Sequence, residues 1–103
     1  MRGMPAARRA EEAHVADVRA FLDEHERLEH MRARRRADLI TLESGPDDDP
    51  IAHARLRRVA VHLWTLECAT HTGRWERTPF RGRLDEILDV LVSEFPWIVA
   101  PRE

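Results

Sequence analysis

The chain contains no lysine, asparagine, glutamine or tyrosine, and all seventeen of its basic residues are arginine. The absent residues use AT-rich codons, which points to a GC-rich genome and a bacterial source. Arginine abundance alone therefore carries little functional meaning. A single cysteine, Cys68, excludes an internal disulfide framework and a cysteine-rich zinc motif. No apolar run approaches the roughly 18 residues that a membrane span needs. The N-terminal stretch MRGMPAARRAEEAH turns acidic where a secretory leader needs its apolar segment. A cytoplasmic, reducing location with no membrane contact is the expectation. There is no internal repeat and no low-complexity tract.

What is present fits one domain. A chain of 103 residues buries roughly two-thirds of its unfolded surface. Hydrophobic residues make up 43% and charged residues 35%, the balance of a soluble, charge-rich and helical protein. The formal net charge of -2 supplies no global attraction to nucleic acid or anionic lipid.

The apolar periodicity predicts an all-α fold. Val15, Val18, Phe21, Leu22 and Leu28 lie on one side of a helical wheel, and Leu39, Ile40 and Leu42 resume the stripe. Ala33 and Ala37 keep helix propensity high between them, and neither Gly nor Pro intervenes, so one helix is expected over about 5–44, closed by Gly45. Asp48 or Asp49 with Pro50 then reads as a helix start. Ala52, Leu56, Val59, Ala60, Leu63 and Leu66 line one face of a second helix over about 50–72, with Gly73 as its left-handed stop. A connector over 73–82 leads to a third helix over about 83–95, whose stripe is Leu84, Ile87, Leu88, Leu91 and Phe95. An apolar tail, 96–103, folds back onto the core. The alternative is α+β, with a β-hairpin around residues 63–80.

Chemistry-bearing residues are few. Cys68 and His71 stand three apart and Glu67 and His71 four apart, at most three of the four or so ligands that zinc needs. No base is positioned to activate Cys68. His25 with Glu29 lacks the Glu-x-x-His order of a di-metal bundle. His14 and His25, on the packed face, are expected to make stability pH-sensitive. Asp47–Asp49 lacks the alternating ligands of a calcium loop. No catalytic residue, metal site or cofactor is assigned, and an enzyme is the least favoured class.

Two surfaces remain. Val61, Trp64 and Cys68 form a second apolar line on the predicted second helix, and Trp75 and Trp97 lie outside the main stripes. Large aromatics of this kind anchor interfaces. They support a protein-binding or self-associating regulator: an accessory subunit, or an immunity or antitoxin-type partner. The alternative is a nucleic-acid-associated protein using two basic clusters. One is Arg32, Arg34, Arg35 and Arg36; the other is Arg55, Arg57 and Arg58. Nearby carboxylates, and the lack of interleaved aromatics, make a solvated face the simpler account of these arginines.

Overall fold

Residues 32–69, read as parts of two helices, form four strands. In the computed structural model, which describes residues 9–101, the chain folds as α1 (Glu12–Glu24), β1 (Arg32–Arg36), β2 (Leu39–Ser44), β3 (Ile51–Ala60), β4 (Leu63–Ala69), β5 (Trp75–Gly82) and α2 (Leu84–Glu94). The strands form one antiparallel sheet in the order β1-β2-β3-β4-β5. The fold is α+β, so the all-α expectation is overturned and the alternative architecture fits better.

Alternation decides the matter. Ala33, Leu42, Ala54 and Cys68 pair in one row across four strands, and Ile40, Leu56 and Leu66 in the next. All seven are buried, because they point to the same side of the pleat. Val15, Val18 and Leu22 of α1, and Leu84, Ile87, Leu88 and Leu91 of α2, close the core on that side. The helix expected over 83–95 is α2. Of the helix expected over 5–44, only Glu12–Glu24 and a single 3-10 turn at Glu26–Leu28 are helical among the described residues; positions 5–8 lie outside them.

The turns explain the error. β1 and β2 are joined by Ala37-Asp38 alone, and Ala37 takes a left-handed φ of 53°. β3 and β4 are joined by Val61-His62. Neither pair carries the Asn-Gly or Asp-Gly signal of a two-residue hairpin. Gly45 and Gly73 do adopt positive φ, 81° and 83°, but each follows a strand instead of closing a helix. Asp48, Asp49 and Pro50 lead into β3, and the expected connector at 73–82 contains β5.

Within the core, Trp64 is 2% exposed and meets the His14 ring edge-on at 5.1 Å between centroids. The tail is tied down by two histidines. His53 is fully buried beside the β2/β3 register shift; its Nδ1 lies 2.7 Å from the carbonyl of Ile98 and its Nε2 2.7 Å from Ser44 Oγ. His30 Nε2 lies 2.8 Å from the carbonyl of Val99. Val99 is buried, whereas Trp97 stays 66% exposed.

Candidate functional site

The opposite face of the sheet is lined by none of the core residues and is rich in arginine. Two rows cross all five strands. One runs Arg34, Thr41, Arg55, Glu67, Arg77; the next runs Arg36, Leu39, Arg57, Thr65, Arg81. With Arg32, the face carries seven arginines against Glu43, Glu67 and two turn residues, Asp38 and Asp47. The excess is local, since the chain as a whole is at -2. The compensating negative charge is prominent on the helical layer, where Asp17, Asp23 and Glu24 of α1 and Asp85, Glu86 and Asp89 of α2 are exposed.

Glu67 organises the centre. Its side chain is nearly buried, yet both oxygens are paired: Arg55 Nε donates to Oε1 at 2.9 Å and Arg57 Nε to Oε2 at 2.9 Å. Arg57 also donates through Nη1 to Asp38 Oδ2 at 3.1 Å. Burial works against ionisation of Glu67, but the hydrogen bonds and charges of Arg57 and Arg55 outweigh it and hold the carboxyl below its usual range. Arg32 and Arg34 both reach Glu43, at 3.5 and 3.3 Å. Arg36, Arg77 and Arg81 make no ion pair among the described residues.

The structure thus separates the arginines grouped by sequence. Arg32, Arg34, Arg36, Arg55 and Arg57 share the open face. Arg35 and Arg58 do not: Arg35 holds Glu12 at 2.9 Å and the Ala10 carbonyl at 3.2 Å. Arg58, buried, donates to the carbonyls of Arg9 and Val61 at 2.7 and 2.8 Å. Both tie the start of α1 to the sheet. Arg77 and Arg81 were missed, and the signal was their even spacing from Trp75, which places all three on one face of a strand but means nothing in a connector.

The five apolar candidates do not form one surface. Trp64 and Cys68 are core residues, so the second helical line does not exist. Val61 is 47% exposed in the β3–β4 turn. Trp75 is half-buried on the arginine face, with the Arg55 guanidinium 4.3 Å above its ring. Trp97 rims a groove of about 570 Å³ that also touches Cys68, His71 and Phe95. Burial, with some help from Glu76, pushes the Cys68 thiol up to about 11, which leaves it protonated and unreactive at neutral pH.

Other clusters resolve into packing. Glu67 and Cys68 point to opposite faces, so the two do not gather with His71 into one three-residue ligand set. His25 lies against Phe21, 4.1 Å between ring centroids, with Nδ1 2.7 Å from the Phe21 carbonyl. Among the described residues no group of three or more His, Cys, Asp and Glu gathers to hold a metal. Ser44 and His53 have the spacing of a nucleophile and base, but the pair is buried and its third partner is a backbone carbonyl. No helix among the described residues is long and apolar enough to cross a membrane.

Comparison with protein-family models, with curated proteins and with solved structures finds no match to this chain.

Proposed function

We propose that this chain is a non-catalytic binding module that docks an acidic surface of a protein partner onto its open sheet face. One observation carries the reading: seven arginines face away from the core on a chain of net charge -2. Charge held on one surface steers association and rejects like-charged partners more than it adds raw affinity. That suits a regulator, accessory subunit or antitoxin-type protein. The reading takes the reducing cytoplasm as its setting, supported by the unpaired, buried Cys68. Its non-catalytic character is supported by the burial of Ser44 and His53 and by the raised Cys68 thiol.

Nucleic acid is the second reading, since phosphates suit the same arginines. It is disfavoured because Trp75 is the single aromatic among the paired residues of this face and its ring is already covered by Arg55. A second copy is a third reading, because the exposed carboxylates of the helical layer are opposite in sign to the arginine face.

Fluorescence anisotropy of a labelled Asp/Glu decapeptide, a single-stranded oligonucleotide and a duplex, each at low and moderate salt, tests the reading. The expected result is salt-sensitive binding of the acidic peptide that weakens in Arg34→Ala/Arg36→Ala. Tighter binding of either oligonucleotide, with a steep salt slope, would move the function to nucleic acid. Binding of none of the three, with a dimer growing by concentration in light scattering, would assign the face to a second copy.

A further inference from the structure

On the open face, strand β5 departs from regular pairing at one place. Arg77 pairs with Glu67 and Arg81 with Thr65. Between the two arginines lie Thr78, Pro79 and Phe80, whereas a single residue, Leu66, separates their partners. The surplus residues form a bulge on an edge strand, where Pro79 lacks an N–H that a regular ladder would require. Thr78 pins the bulge by donating from Oγ1 to the Leu66 carbonyl at 2.9 Å, and Phe80 packs on Phe95 beneath the sheet. Bulges of this kind re-aim side chains. Here the consequence is that two arginines four apart in sequence stand beside neighbouring positions of β4.

Arg77 and Arg81 converge with Arg57 on a groove of about 310 Å³ whose wall includes Thr65 and Glu67, the latter's charge already taken up by Arg55 and Arg57. We propose that this groove clasps a phosphate monoester carried by the protein partner, gripped by Arg77 and Arg81 with Arg57 and Thr65 beside it. The inference rests on the sheet face being the docking surface.

Charge matching points to phosphate. Arg55 and Arg57 are balanced by Glu67 and Asp38, a closed quartet of two cations and two anions. Among the described residues Arg77 and Arg81 are left as two cations without an ion pair, and the Thr65 hydroxyl makes no hydrogen bond. A phosphate monoester brings about -1.5 to -2 charge and three acceptor oxygens, enough to span both guanidiniums. A carboxylate brings a single charge and satisfies one fork. The groove lacks an aromatic wall, so a nucleotide's base has nothing to stack on. At about 310 Å³ it is also at the small end of the roughly 300–1,000 Å³ of ordinary ligand pockets.

The test compares an acidic decapeptide bearing a central phosphoserine with the same peptide bearing serine, by anisotropy, with adenosine monophosphate as competitor. Phosphorylation is expected to tighten binding about tenfold or more, the scale of added charge-assisted hydrogen bonds. Arg77→Ala/Arg81→Ala should erase that gain while still binding the serine peptide. Arg34→Ala/Arg36→Ala should weaken both peptides and preserve their ratio. Both pairs are exposed, and matching thermal melts would show that each variant is folded. A gain that is absent, or that survives Arg77→Ala/Arg81→Ala, overturns the clasp and leaves the docking face standing. So does displacement by adenosine monophosphate at lower concentration than by phosphoserine, which moves the site to a nucleotide. If neither peptide binds, the clasp and the docking face fall together.

Discussion

Arg57 donates from Nε to Oε2 of Glu67 across 2.9 Å, and the carboxylate it meets is almost fully withdrawn from water on the solvent side of the sheet. A buried acid on an open face is stable only because arginine side chains cover it. Their stems pack over the carboxylate while their charges remain partly exposed.

Removing that charge exposes the dependence. Glu67→Gln leaves Arg55 and Arg57 without their shared partner. Since these side chains are 20% and 33% exposed, the expected loss is about 1–3 kcal/mol, below the cost of breaking a fully buried pair. Urea denaturation reads it. The same substitution adds a net positive charge to the face and should tighten acidic peptides. In the parent protein the folded Glu67 carboxyl titrates below the unfolded one, so its stabilisation is complete above about pH 4.5 and is lost as pH falls through the lowered folded value. A Glu67→Gln protein as stable as the parent at pH 7 would show that the ion pairs contribute nothing.

His14 acts in a separate pH window. Burial, and then the neighbouring charge of Arg58, push its imidazole below the ordinary value of 6.5. The unfolded chain therefore takes up the proton first. Stability from the neutral ring is complete above pH 6.5 and declines as pH falls from there toward the folded value. Glu11 N donates to His14 Nδ1 at 2.9 Å at the start of α1, a bond that a glutamine side chain can also accept. His14→Gln should keep the cap and flatten the fall in urea midpoint between pH 7 and pH 5. Equal slopes in the two proteins would exclude His14 as the source.

Ala37 offers a stabilising change. Its φ of 53° is one that a Cβ disfavours and glycine does not. It is exposed in the turn, and its carbonyl accepts from Ala10 N at 2.8 Å, a backbone bond that any residue keeps. Ala37→Gly should gain about 0.5–1 kcal/mol, the relief of left-handed strain less the entropy of glycine. A lower melting temperature would contradict it.

Much of the core was legible in the sequence, though the wrong element carried it. Val15, Val18 and Leu22, and the stripe of α2, were found because a helical period is a local signal. Ile40, Leu42, Leu56 and Leu66 were also marked as buried. Their spacing satisfied a helix as well as a strand, and Ala33 and Ala37 tilted the balance toward helix. The deciding contacts are cross-strand pairs such as Leu42 with Ala54, which no local window contains.

The sequence alone determined that the molecule would have a single cysteine outside any internal disulfide, one clear amphipathic helix near its C-terminus and two local arginine clusters with carboxylates nearby. Tertiary structure decided which arginines share a surface. It turned Arg35 and Arg58 toward α1 and left Arg32, Arg34, Arg36, Arg55 and Arg57 on the open side. It also set Arg77 and Arg81 beside Glu67 and Thr65 through a bulge. The physical reason is that strand facing depends on register, and register is set between strands. A two-residue surplus around Pro79 moves a side chain's neighbours without leaving a periodic mark on the chain itself.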